Sequence, residues 1–320
     1  MNCIFLDSIA PEMKALLLSQ KPQEIALFFW DELNEVSQAE KLACADALLT
    51  TAYIVGDAFL ARAPKLKIVQ KVGVGTDNIN TDAAGKRGIV VSNVPGGNAN
   101  GVAELTIGLI LDLYRKISVL DRETKAGEWS MWKYRACSYE MKGKIHGIIG
   151  FGHIGKRVAE LSRVFGTSLL YYSRRKAADE VEKYYNVTYM ELDELLQKSD
   201  IVSVHLPLNS TTRNLLNAKK LSLMQLNSVL INVGRGQVVK ETDLYEALIQ
   251  GKLAGAGIDV WSSEPINASN ALLLLDNVVA MPHVGGGTVD AATNIFKISF
   301  EKILKQLSLG TLSASHSEIH

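Results

Sequence analysis

The sequence predicts an α/β protein built from two parallel-sheet domains, one inserted into the other. Three observations carry this. Short β-rich apolar runs alternate with helical stretches from end to end, the pattern of strands joined by crossover helices. One run leads into Gly150-Phe151-Gly152-His153-Ile154-Gly155, followed by a helical pattern. Late in the chain, Arg235, Glu264 and His283 each stand just beyond an apolar run. At 320 residues the chain exceeds one ordinary domain.

In order, strands are expected at 3–7, 25–29, 47–50, 68–72 and 89–92, with amphipathic stretches such as 11–19 and 57–63 between them. A long helix is expected over 98–120. It opens after Pro95-Gly96-Gly97 and carries Val102, Leu105, Leu109, Leu113 and Ile117 at helical period. A strand at 145–149, a helix at 154–165 and a strand at 168–172 make a βαβ unit. Further strands are expected at 201–205, 229–233, 256–259 and 278–280, with a helix at 243–249. The last helix, 289 to about 307, leaves too little chain for a domain of its own and is expected to return to the first. The expected division is residues 1–99 with 286–320 as a discontinuous substrate domain, and 100–285 as the inserted domain.

The glycine pattern sits where a Rossmann dinucleotide fingerprint belongs, between a buried strand and a helix. Gly150 permits the tight turn, Gly152 lets backbone approach a pyrophosphate, and Gly155 lets helix and strand come close. The His153 and Ile154 amides would point at phosphate. The inserted domain is therefore expected to be a Rossmann-type doubly wound sheet, and its host a flavodoxin-like α/β domain. A carboxylate for the adenosine ribose usually stands about 20 residues on. Here Ser173 takes that place, followed by Arg174, Arg175 and Lys176. Two guanidiniums and no acid suit a 2′-phosphate, so NADP is expected in preference to NAD.

Composition excludes several classes. Lys+Arg 34 balances Asp+Glu 34, so there is no overall footprint for nucleic acid or an anionic membrane. With 47% hydrophobic and 21% charged residues, the chain reads as globular. No apolar run reaches membrane-span length, and residues 1–7 lack the basic start of a secretion signal. Cys3, Cys44 and Cys137 show no metal-ligand spacing; no metal site is expected, and a reducing cytoplasm is.

Several motifs in one order resemble the D-2-hydroxyacid dehydrogenase family over nearly the whole length. They are Val72-Gly73-Val74-Gly75-Thr76-Asp77-Asn78, Val102-Ala103-Glu104-Leu105-Thr106 and the glycine turn. They continue with His205-Leu206-Pro207-Leu208, Asn232-Val233-Gly234-Arg235-Gly236, Asp259-Val260-Trp261-Ser262-Ser263-Glu264-Pro265 and Pro282-His283-Val284-Gly285-Gly286. The resemblance implies that Arg235 binds a 2-oxo acid and polarises its carbonyl. His283 would give or take the proton, and Glu264 would orient His283 and stabilise its imidazolium. A guanidinium facing a developing oxyanion, with a proton donor beside it, is also what the chemistry demands. Val74 and Gly75 resemble the family's backbone donors for the substrate carboxylate. Thr106 resembles a phosphate contact, and Asp259, Val233, Gly234 and Gly285 a nicotinamide edge. His205 and Pro207 would shape the cofactor pocket, a structural role for His205 being the equal alternative, while His146, His316 and His320 have no functional case. Asn80 stands where an acid is common.

The stretch Leu49-Thr50-Thr51-Ala52-Tyr53 has no cation where the phosphoglycerate branch carries an arginine, which disfavours a phosphorylated substrate. The Tyr171-to-Lys176 segment is similar to the NADPH-preferring glyoxylate and hydroxypyruvate reductases, implying a small 2-oxo acid. Trp129, Trp132, Tyr134 and Tyr139, interleaved with Lys133 and Arg135, suit a protein contact, and the resemblance implies a homodimer. Rival readings on the same scaffold are a phosphite dehydrogenase and an NAD(H)-sensing corepressor-like binding protein. Formate dehydrogenases lack a glutamate at the Glu264 position.

Overall fold

The computed structural model describes residues 1–314, with side chains through residue 308; His316 and His320 lie outside the described residues. The chain forms two compact units, Met1–Asn98 together with the segment from Val289 onward, and Ala99–Thr288.

The first unit runs β1 (Asn2–Phe5), α1 (Pro11–Ser19), β2 (Ala26–Phe29), α2 (Glu35–Ala43), β3 (Ala47–Thr50), α3 (Asp57–Leu60), β4 (Ile68–Lys71), α4 (Thr81–Lys86) and β5 (Val90–Ser92). Its sheet has the order β2-β1-β3-β4-β5 and every pair is parallel, the flavodoxin-like arrangement. Both faces of its central strands are covered, so those strands read as nearly continuous apolar runs. Ile4, Leu48 and Val69 face one layer. Phe5, Leu49 and Ile68 face the other, where Phe296, Phe300 and Ile303 of the closing helix Val289–Ala314 cover them.

The second unit opens with α5 (Ala99–Arg115) and α6 (Ile117–Lys125). Then come β6 (Ile145–Ile149), α7 (His153–Val164), β7 (Ser168–Tyr172), α8 (Asp179–Tyr185), β8 (Val187–Tyr189), α9 (Leu192–Lys198) and β9 (Ile201–Val204). It ends with α10 (Ala218–Leu221), β10 (Val229–Asn232), α11 (Glu241–Ile249), β11 (Gly255–Ile258) and β12 (Val278–Ala280). The sheet order is β12-β11-β10-β9-β6-β7-β8, all parallel. Counted from β6 this is the Rossmann order with one strand added, and the order reverses between β6 and β9. Ligands of such sheets bind outside the carboxyl ends at that reversal.

Two expectations are corrected. The long helix is not continuous to residue 120. It breaks at Lys116, whose φ of 56° is left-handed, and Asp112 accepts the Ser118 amide at 2.8 Å to start α6. Strands expected to run through Asp7, Val72, His205, Val233 and Asp259 stop one or two residues sooner. Those residues turn out of the sheet at the carboxyl edge, where ladder pairing gives way to loops. No helix among the described residues is long and apolar enough to cross a membrane.

Candidate active site

The reversal point is built by glycines. Gly150 leaves β6 with φ 100°, a conformation that side chains resist. A Cβ there would also lie 2.9 Å from the His205 carbonyl. A Cβ on Gly155 would overlap the Gly150 carbonyl oxygen, so α7 can lie this close to β6 only with glycine in its first turn. Gly152 differs: an added Cβ would meet nothing within 4 Å. Its absent side chain is not demanded by the protein's own packing, which fits approach by an outside group. Gly152 caps α7 without a side-chain hydrogen bond, leaving the His153 and Ile154 amides at the positive end of the helix. This edge fits a dinucleotide pyrophosphate.

At the end of β7, the Ser173 hydroxyl is held by the Arg175 carbonyl, and Lys176 pairs with Asp179 and Glu182 at 3.3 and 3.4 Å. Arg174 and Arg175 are exposed, and among the described residues no ion pair engages either. The two guanidiniums are available; the lysine is committed.

Arg235, Glu264 and His283 follow β10, β11 and β12, three neighbouring strands. Asn232 shapes the first loop, donating to the Arg235 carbonyl at 3.2 Å and accepting the Gly234 amide at 3.2 Å. Gly236 lies against the Trp261–Ser262 backbone so closely that any Cβ would overlap it. The loop bearing Arg235 is thereby joined to the loop bearing Glu264. Glu264 accepts the Trp261 amide on Oε1 at 2.9 Å, and its Oε2 lies 2.7 Å from His283 Nδ1. The Trp261 indole donates to the Met281 carbonyl at 2.9 Å, joining the second loop to the third.

His283 itself has φ 57°, the left-handed region that a non-glycine residue adopts only under constraint. The constraint is Asp259. Its backbone carbonyl accepts the His283 amide at 2.8 Å, and its carboxylate accepts the Val284 and Gly285 amides at 2.8 and 2.9 Å. Asp259 is buried, and a Cβ on Gly285 would come 2.9 Å from it. With Nδ1 donating to Glu264, the remaining nitrogen, Nε2, is left for proton transfer. Both side chains are partly open to solvent, His283 at 47% and Glu264 at 37%.

Other residues fall out differently. Thr106 is fully buried and its hydroxyl donates to the Val102 carbonyl at 2.7 Å. The proton of that hydroxyl is thereby committed inside α5. Val233 and Gly234 are buried at the end of β10, where a Cβ added to Gly234 would lie 2.8 Å from the Leu206 carbonyl oxygen. Pro207 is exposed and its carbonyl accepts the Thr212 hydroxyl at 2.7 Å. In the first unit, the loop after β4 is pinned by Asn93, which donates to the Val74 carbonyl at 2.6 Å. The Val74 and Gly75 amides make no hydrogen bond among the described residues.

Some contributors escaped sequence reasoning. Asn232 braces the Arg235 loop through backbone groups, and Glu241 takes the Ser262 amide at 2.6 Å and the Asn270 side-chain amide at 3.0 Å. A cation also stands beside residues 49–53 after all. Lys71, from β4, reaches the Thr51 carbonyl and Asn78 Oδ1, the latter at 2.7 Å. A residue 20 positions away along the chain gives no local signal of that contact.

Comparison with known proteins agrees with this geometry. The sequence model "D-isomer specific 2-hydroxyacid dehydrogenase, NAD binding domain" matches residues 107–285. A glyoxylate reductase of Aeropyrum pernix is 38% identical over 269 residues, covering 81% of this chain and 79% of its own length. A hydroxypyruvate reductase of Thermotoga maritima is 34% identical over 308 residues, covering 95% of this chain and 97% of its own. The crystal structure of D-lactate dehydrogenase from Aquifex aeolicus, complexed with NAD and lactic acid, superposes with a TM-score of 0.83 at 28% identity, covering 98% and 97% of the two chains. With glycine turn, paired carboxylate and imidazole, and sheet order all in agreement, this chain belongs to the D-isomer specific 2-hydroxyacid dehydrogenase family.

Proposed function

We propose that the protein reduces a small 2-oxo acid to the D-2-hydroxy acid, in the manner of a glyoxylate or hydroxypyruvate reductase, with NADPH preferred over NADH. The observation that carries this is the 2.7 Å Glu264–His283 pair, on a loop locked beside the strand end that bears Arg235. The Gly150, Gly152 and Gly155 turn, with the His153 and Ile154 amides, would hold the pyrophosphate, and Arg174, Arg175 and the Ser173 position the adenosine end. A bound nicotinamide supplies hydride to C2 of the acid or takes it back.

The chain's own groups do the rest. Arg235 draws the substrate carboxylate and polarises the C2 carbonyl as negative charge develops on its oxygen. His283 delivers the Nε2 proton to that oxygen, giving the hydroxyl; in reverse, Nε2 accepts it. Glu264 keeps Nδ1 engaged, which holds the ring with Nε2 presented for proton transfer. The open amides of Val74 and Gly75 offer two further donors to a carboxylate. His205, Pro207, Val233, Gly234, Asp259 and Gly285 shape the cofactor edge, Asp259 by holding the His283 loop rather than by touching ligand.

We also propose a homodimer. Trp129 and Trp132 are 82% and 70% exposed, Arg135 stacks 3.8 Å over Trp132, and Ile117, earlier in the chain, is exposed as well. Such aromatic and arginine enrichment suits a contact between copies.

The test is oxidation of NADPH and NADH with glyoxylate, hydroxypyruvate, pyruvate and phosphoglycerate-type acids, with phosphite and NAD(P) as the contrary arm. Turnover of a small 2-oxo acid that falls at least about 100-fold in His283→Gln, with dinucleotide affinity kept, is the expected result. Phosphite oxidation alone, or a His283→Gln enzyme as fast as wild type, would refute the reading.

A further inference from the structure

His146 lies within the first nucleotide strand and is fully buried, a costly place for an imidazole unless both nitrogens find partners. They do. Nδ1 is 2.9 Å from Ser162 Oγ on α7, and Nε2 is 2.8 Å from Ser203 Oγ on β9. Ser203 also meets His205 Nε2 at 2.8 Å, and Ser162 meets Thr167 Oγ1 at 2.8 Å. Thr167, Ser162, His146, Ser203 and His205 thus form one unbroken hydrogen-bonded line through the sheet.

The line has a direction. Thr167 donates its hydroxyl proton to the Ser162 carbonyl at 3.0 Å, so between the two hydroxyls Ser162 must be the donor. His146 then donates from Nδ1 to Ser162, Ser203 donates to His146 Nε2, and His205 donates from Nε2 to Ser203. His205 Nδ1 is left as a lone pair, buried and without a partner among the described residues. The reversed line would strand an N–H there and withdraw the proton from the Ser162 carbonyl.

What the line holds is the His205–Leu206 backbone. That segment touches Gly150 on one side and Gly234 on the other, at 2.9 and 2.8 Å from where their Cβ atoms would stand. It is wedged between the turn opening α7 and the turn leading to Arg235. We propose that His146 is a positioning residue for dinucleotide binding: through Ser203 it fixes the ring and tautomer of His205, and with them the backbone on which both turns rest. This rests on the dinucleotide binding at the Gly150 turn, but the tautomer can be read with no dinucleotide present. Burial holds His146 at about 3, so the line stays uncharged at neutral pH.

The experiment uses the full chain and long-range ¹⁵N–¹H correlation to assign the His205 tautomer. NADPH and NADH affinities by fluorescence and kcat at saturating cofactor complete it. Wild type should carry the His205 proton on Nε2. His146→Leu and the nearly isosteric Ser203→Ala should lose that single tautomer and bind dinucleotide about tenfold more weakly, with kcat retained. His146→Gln, whose amide can donate to Ser162 and accept from Ser203, should restore both. Nδ1-protonated His205 in wild type, unchanged affinity in both broken variants, or His146→Gln binding as weakly as His146→Leu would each overturn the proposal. A wild type that binds neither dinucleotide would overturn the functional reading instead, while the tautomer comparison would still decide whether the line exists.

Discussion

Acidification tests the interior of the second unit directly. His146 is fully buried, and desolvation alone lowers its pKa to about 3, against about 6.5 in an unfolded chain. Between those values the unfolded state binds a proton that the native state refuses. Stability from this residue is therefore complete above about pH 6.5 and is lost as pH falls through the window toward 3. Each pH unit inside the window costs about 1.4 kcal/mol, so moving from pH 7 to pH 5 costs about 2 kcal/mol from His146. His205 is shifted the same way, with burial first and the neighbouring His146 second, but it is only half-buried and contributes less. Urea unfolding at pH 7 and pH 5, on wild type and His146→Gln, isolates the effect because every carboxylate is common to both. The wild type should lose about 2 kcal/mol more than the variant on acidification. Equal losses would show that native His146 accepts a proton at pH 5, and the buried, neutral line would be wrong.

Three other outcomes follow from the geometry. Gly155→Ala forces a methyl into the Gly150 carbonyl and should cost about 3 kcal/mol, read as a lowered Tm, with weaker dinucleotide binding; an unchanged Tm would refute the close approach of α7. Replacing Arg174 and Arg175 with Ser should shift the ratio of kcat/KM for NADPH over NADH by about tenfold per guanidinium toward NADH, and an unaltered ratio would remove them from the cofactor site. Trp132→Ala should move sedimentation from dimer toward monomer at micromolar concentration, and a wild type that sediments as a monomer would end the dimer proposal.

The elements most legible in the sequence were those set by one strong local rule. β3, β6, β7 and β12 fall at their expected ends because each is a short apolar run bounded by turn formers. The glycine turn was legible because Gly150 and Gly155 answer separate steric demands of the strand–helix junction. Positions decided by contacts distant in sequence were not. The break at Lys116 depends on Asp112 reaching Ser118, against an apolar period that continues unbroken to Ile117. Thr106 matched a motif, but the bond from its hydroxyl to its own helix was not legible. Nor was the anchoring of the His283 loop by the Asp259 carboxylate, which depends on amides 25 and 26 residues away. His146 read as an oddity in a strand because its meaning lies in two serines, 16 and 57 residues away.

Arg235, Glu264 and His283 all belong to Ala99–Thr288, tied by Gly236, Trp261 and Asp259. On the roles proposed above, reactivity is inherited as a cassette. Mutations in the rest of the gene would then retune which acid is welcomed and leave the proposed proton transfer untouched. Directed evolution toward new substrates would accordingly begin outside Ala99–Thr288, at the Val74 loop.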